Sequence, residues 1–144
     1  MVDVSGKTVT AREAVARGRI RISAAAMRRV RSGKLEKGGV TEVARLAGIL
    51  AAKRTAEAIP LCHPLPLTHV DVELRPRRDG FLIEVRVRTD AKTGAEMEAL
   101  HAVAVAALTV YDMVKAADRE MVISDIRLVK KSGGRRGEYV RRGG

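Results

Sequence analysis

Residues 60–67 read PLCHPLPL, and they hold three of the chain's four prolines with its only cysteine, Cys62, and one of its three histidines, His63. Proline removes backbone freedom, so this stretch is a stiff corner that fixes the side chains it carries. A structural zinc site needs four Cys or His ligands at defined spacing, and a single cysteine without a C-x-x-C pair argues against a metal here. A Cys–His nucleophile pair fails for another reason: adjacent residues on an extended chain point apart. Two readings of His63 stay open. It is either a hydrogen-bonded side chain in a rigid loop, or a pre-organised ligand contact or proton-transfer group.

Four other stretches carry groups able to do chemistry. TGAEMEAL (93–100) places Glu96 and Glu98 at the start of a helical pattern. Thr93 with Glu96 three residues on fits a capping box, which gives Glu96 a structural role. Glu98 lies 200° around the helix from Glu96, so the two do not share one solvent stripe. YDMVK (111–115) puts Asp112 and Lys115 at i and i+3, on one side of a helix. They are an ordinary ion pair or an acid/base pair in a cleft, each shifting the other's proton affinity. AAKRT (51–55) ends a helix with Lys53 and Arg54, and KKSGG (130–134) ends a strand on Lys130, Lys131 and two glycines. The latter is flexible basic backbone suited to phosphate, without P-loop spacing.

The elements that must position these groups follow from periodicity. Ile20 and Ile22 alternate with Arg19 and Arg21 at the end of 10–23, a half-buried strand. Ser23 caps a short helix that Gly33 closes. A helix over 40–59 places Val40, Val43, Ala44, Ala47, Leu50 and Ala51 on one face, and Pro60 stops it. THVDVELRPR and FLIEVRVRTD are period-two strands joined through Asp79-Gly80, a hairpin signal, with Val70, Val72 and Leu74 sharing a face. The longest helix runs from about Gly94 to Asp118, and VISDIRLV is a last strand. The order β-α-α-β-β-α-β predicts an α+β ferredoxin-like sandwich: a four-stranded antiparallel sheet with helices packed on one face. From Ala99 to Tyr111 the long helix has no Asp, Glu, Lys or Arg. Such a helix is buried nearly all round, which one four-stranded sheet cannot achieve, so the spacing predicts an oligomer.

With 144 residues, 46% hydrophobic and 31% charged, the chain reads as one globular domain. No apolar run is read as long enough to span a bilayer, and MVDVSGKTVT has no apolar signal region, so a cytoplasmic protein without membrane contact is expected. The net charge is +11, and residues 127–144, with seven basic residues and one acidic, hold more than half of it. The expected organisation is a catalytic domain over 1–134 and a basic, flexible tail over 135–144. That tail is a frayed end or an anion-binding segment that orders on a ligand. The charge favours an anionic partner. A basic ferredoxin-like RNA-binding module is the alternative, but single-strand readout needs aromatic platforms, and the chain has one Phe, two Tyr and no Trp. Phe81 is the one aromatic on an expected strand, so no nucleic acid is expected as partner.

KRTAEAIPLCHPLPL, TGAEMEAL, ALTVYDMVKA and LVKKSGG, in this order, with MVDVS at the start, resemble the cyclic pyranopterin monophosphate synthase family of molybdenum cofactor biosynthesis. The resemblance runs from about Met1 to Gly134. It implies a lyase that converts 3',8-cyclo-7,8-dihydro-GTP to cyclic pyranopterin monophosphate and releases pyrophosphate. It implies no redox cofactor, and no metal-ligating residue is expected. It implies a ferredoxin-like subunit in a homohexamer, a trimer of dimers, with the active site at a dimer interface. Carried over by motif, Leu61, Cys62 and His63 are substrate-contacting positions, and Met97 and Glu98 form the other substrate-binding element. Asp112 matches the catalytic aspartate, and Lys115, Lys53 and Lys131 match active-site lysines, with His63 beside them. Arg12, Lys37 and Glu96 stand where further substrate contacts are expected.

Geometry adds one constraint. Glu98 and Asp112 are fourteen residues apart, about 21 Å along a straight helix and within about 40° of the same face. One nucleotide triphosphate cannot touch both on one chain. If both serve one site, two subunits contribute, most simply through antiparallel copies of this helix across a two-fold axis.

Overall fold

A computed structural model of the chain describes residues 1–135 and 137–142. The first strand, β1, spans Thr10–Arg21 and is followed by α1 (Ala24–Arg31), α2 (Val40–Lys53) and the single turn α3 (Thr55–Ala58). The hairpin β2 (Leu67–Arg77) and β3 (Gly80–Ala91) leads into α4 (Glu96–Val114), β4 (Val122–Ser132) and the two-residue β5 (Tyr139–Val140). The sheet order is β2-β3-β1-β4-β5, antiparallel throughout. The first four strands carry the expected α+β arrangement. The fifth is an addition at the edge, where Tyr139 and Val140 pair with Lys131 and Lys130. So part of the segment read as a frayed tail joins the sheet, aided by an ion pair from Lys130 to Glu138 at 2.9 Å. The tail residues Arg136, Gly143 and Gly144 lie outside the described residues.

One face of the sheet supports the helices. Phe81, Ile83, Val85 and Val87 alternate along β3 with partly exposed or charged neighbours, and they form the core floor with Ala14, Ala16 and Ile20 of β1. α4 crosses β1, β3 and β4, with α2 beside it over β2. Gly18 sits where α4 comes closest: a methyl there would overlap Val103, which accounts for a glycine in mid-strand. The hairpin turns where expected, with Gly80 at φ 139, a conformation disfavoured for other residues.

Three local expectations are corrected. The helix over 40–59 breaks at Arg54, where φ is −117 and ψ is 19. There the Thr55 hydroxyl donates to the carbonyls of Ala51 and Ala52 and also meets His101 Nδ1 of α4, each at 3.1 Å. The apolar stripe of α2 is shifted as well: Val40, Ala44 and Ala51 are buried with Gly48 and Ala52, while Val43 and Leu50 face outward with Leu46. Finally, α4 is 19 residues, and an 18-residue stretch of it has a mean hydropathy of 1.4, long and apolar enough by composition to cross a membrane, which the reading by apolar runs passed over. Half of that stretch is buried in the protein, and the helix is the core of the sandwich. The other side of α4 is not covered within the chain, and Leu108 is 59% exposed.

Candidate active site

The candidate residues fall into two groups, one at each end of α4. The first gathers where β3 turns into α4. The corner 60–66 folds back through a turn, Cys62 N–H donating to Ile59 O at 3.0 Å, and brings the Cys62 thiol to 3.8 Å from Glu98 Oε1. Leu61 and Met97 are exposed beside it, and His63 is half-buried. Glu98 is 2% exposed, and its Oε2 is buried with no hydrogen-bond partner among the described residues. Burial pushes the Glu98 carboxyl above its ordinary value of 4.5, the nearby Glu96 charge adding to the push against its own backbone amide and the thiol. The thiol is raised too, first by burial and then by the carboxyl beside it. A thiol and a carboxyl both pushed toward their protonated forms suit substrate positioning and proton donation better than nucleophilic attack.

That placement sets a stability test. Below its ordinary range Glu98 is neutral in both folded and unfolded chains. As pH rises through 4.5 the unfolded chain loses the proton while the folded one keeps it, so folding weakens until the raised value is passed. Glu98→Gln, of the same shape and always neutral, escapes this loss. Urea unfolding of both proteins at about pH 4 and about pH 8 is expected to show the variant gaining on the wild type at the higher pH. A constant difference between the two proteins would mean that Glu98 is not held neutral.

Lys131 and Arg12 complete this end. Lys131 of β4 donates to Glu96 Oε1 at 2.6 Å. The capping box expected of Thr93 and Glu96 is therefore absent: Ala95 is the N-cap, and Glu96 is turned toward the lysine, because a full ammonium charge attracts it more than a backbone amide does. Arg12 of β1 donates from Nε to Ala91 O at 3.0 Å and from Nη2 to Lys92 O at 3.1 Å, clasping the link between β3 and α4. Arg12, Glu96 and Lys131 open into a cleft of about 590 Å³. Lys7, Lys92 and Arg135 line the same cleft, although sequence reasoning did not single them out. For Lys92 the available signal was its place directly before the TGAEMEAL motif.

The second group stands at the other end. Asp112 accepts from Lys37 Nζ at 2.5 Å on one carboxylate oxygen and from Lys115 Nζ at 2.7 Å on the other. These two ammoniums, Lys115 first, hold its carboxyl down from 3.8 to about 2. The trio is open to solvent, Asp112 being 53% exposed. Of the two readings left open for Asp112 and Lys115, an ion pair is what the chain contains. The pair stands exposed at a surface that carries a second lysine, Lys37.

Lys53 belongs with the first group. Lys37 before α2 reaches Asp112, Gly48 in its middle lies against Ala102 O, and Thr55 after its end meets His101. α2 therefore runs antiparallel to α4, and its C-terminal Lys53 is exposed near the Glu98 end, with no ion-pair partner among the described residues. The structure thus brings together Arg12, Glu96 and Lys131, then Cys62 and Glu98, then Lys37, Asp112 and Lys115. It does not bring the last set to the others within one chain, since about 21 Å of helix separates Glu98 from Asp112.

Comparison with known proteins identifies the family to which the chain belongs. The MoaC family pattern matches residues 1–134. The chain is 61% identical over 143 residues to the cyclic pyranopterin monophosphate synthase of Heliobacterium modesticaldum, covering 98% of this chain and 90% of that one. It is 57% identical over 145 residues to the protein of the same name from Pelotomaculum thermopropionicum, covering 99% and 85%. It is also 57% identical to that of Thermomicrobium roseum, covering 98% and 86%.

Proposed function

The chain belongs to the MoaC family, and from that footing we propose that it is a cyclic pyranopterin monophosphate synthase of molybdenum cofactor biosynthesis. The observation that carries this reading is identity of 61% along nearly the whole of both chains. The substrate is 3',8-cyclo-7,8-dihydro-GTP. In the phosphate step a sugar hydroxyl oxygen bonds to the innermost phosphorus. The bond from that phosphorus to its bridging oxygen breaks, pyrophosphate leaves with the electron pair, and the hydroxyl proton passes to a base. As a lyase the protein also opens the five-membered ring of the guanine and rebuilds it as a pterin-type ring.

The residues divide by chemistry. Asp112, anionic between two ammoniums, is a proton acceptor that Lys37 and Lys115 keep oriented. Glu98, with its carboxyl pushed toward the neutral form and one oxygen unpartnered among the described residues, is a proton donor or a contact to a polar edge of the base. Lys53, Lys115 and Lys131 supply mobile cations for the phosphates, while Leu61, Cys62, His63 and Met97 shape the pocket wall.

Assembly completes the site in this reading. α2 exposes Val43, Leu46 and Leu50, and α4 exposes Leu108, an apolar helical face that a second copy would cover. A two-fold axis across antiparallel α4 helices brings the Asp112 end of one chain to the Glu98 end of another, and three such dimers make the hexamer. The rival RNA-binding reading loses its sheet platform, since Phe81 is 2% exposed in the core and the other strand aromatic, Tyr139, stands on the two-residue β5. The direct test supplies purified protein with the cyclised dihydro-GTP and follows pyrophosphate and pterin product together by chromatography. Both appear if the reading is right; neither appears if the basic surface serves only to bind.

A further inference from the structure

Three features of the cleft at the Glu96 end are left unused by the roles above. The first is charge. Lys7, Arg12, Lys92, Lys131 and Arg135 line it against one carboxylate, Glu96, and that carboxylate is already engaged by Lys131. Lys7 and Arg135 have no ion-pair partner among the described residues, and Lys92 donates only to a neutral carbonyl, Ser5 O, at 2.9 Å. Lys7, Arg12, Lys92 and Arg135 crowd one space beside a single carboxylate that Lys131 already engages, and their mutual repulsion is a cost that an anionic ligand removes.

The second feature is the wall. Gly133 and Gly134 have φ of 92 and 76, and a side chain at Gly134 would overlap the Arg12 guanidinium. A side chain at Gly94 would overlap the Glu96 carboxylate. Bare backbone on two sides lets a ligand approach peptide N–H groups, as oxyanions do. The third is the Thr10 hydroxyl, which belongs to a lining residue and is buried without a hydrogen-bond partner among the described residues. An unpaired buried hydroxyl is costly, and a phosphate oxygen would satisfy it.

Resting on the proposed reaction, we infer that this cleft seats the outer two phosphates of the substrate and holds pyrophosphate once its bond to the inner phosphate breaks, with Lys7, Lys92 and Arg135 as phosphate ligands. The N-terminal segment before β1 and the turn after β4 thereby enter the site, supplying Lys7 and Arg135 from two sides. A cleft of about 590 Å³ has room for such a group together with its waters. Arg12 is held in place by the carbonyls of Ala91 and Lys92, so it meets the ligand without losing much side-chain freedom.

The test uses inorganic tripolyphosphate as probe, titrated calorimetrically into the full chain. Two double variants are compared. Lys7→Ala with Arg135→Ala removes two cations from the cleft. Arg28→Ala with Arg29→Ala removes two exposed cations from the last turn of α1, outside it. The wild type and the α1 variant are expected to bind tripolyphosphate alike, and the cleft variant at least about tenfold more weakly, as the loss of charge-assisted contacts requires. Equal weakening in both variants, or no binding by the wild type, overturns the assignment. Turnover separates this claim from the one beneath it. A wild type that binds tripolyphosphate but makes no pterin product removes the proposed reaction and leaves the anion site. A wild type that turns over, with KM unchanged in the cleft variant, removes the site and leaves the reaction.

Discussion

Asp112→Asn is expected to lower product formation by about 10²- to 10⁴-fold, the range associated with a positioned acid or base, while the protein stays folded. The side chain is half-exposed and contributes no core packing, so its loss does not threaten the sandwich. What asparagine loses is the ability to take a proton, together with the charge that orients Lys37 and Lys115. Initial rates of pyrophosphate release, read beside circular dichroism and size-exclusion profiles, check this. A folded variant with more than about a tenth of wild-type activity would remove Asp112 from the chemistry. The pH dependence has a definite sign. The carboxyl titrates at about 2 in the folded protein, below its ordinary 3.8. Its ion pairs are therefore complete above the ordinary value and are lost as pH falls through about 2. At such exposure, solvent screening keeps their share of stability small. Asp112 is ionised at every pH above about 3, so an acid limb in kcat/KM near neutrality must come from another group.

Mixing two inactive proteins is expected to restore activity. In a dimer of one Glu98→Gln chain and one Asp112→Asn chain, a site built from both chains receives either both substitutions or neither. One of the two sites is then intact, and a purified mixed dimer regains about half the wild-type rate. The reason is the length of α4: with about 21 Å between the two carboxyls, no fold of a straight helix lets one substrate reach both. Differently tagged chains, co-expressed and isolated through both tags, provide the sample. Mixed dimers without activity would place the entire site within one chain and require another acid or base beside Glu98 or Asp112.

Much of this was legible in the residues. Alternation in β2 and β3, Asp79-Gly80 between them and the uncharged run of α4 are local patterns, and the hairpin and the helix formed where they pointed. The α2 break at Arg54 was not legible, because the Thr55 hydroxyl that satisfies the α2 carbonyls also meets His101, a residue 46 positions away. Glu96 misled for the same reason. Its spacing from Thr93 satisfies a local rule, but the strand pairing of β1 with β4 brings Lys131 to it from 35 residues downstream.

By itself the sequence determined the order of the main elements and the family, since both depend on residue types at short spacings, and it named candidate side chains for the site. Only the tertiary structure decided how those side chains are partnered. It buried Glu98 with one oxygen unpaired among the described residues, held Asp112 between two ammoniums, and drew Lys7, Lys92 and Arg135 around one cleft. Proton affinity and charge density depend on what lies within a few ångströms, and those neighbours are brought together by the folded sheet from opposite ends of the chain.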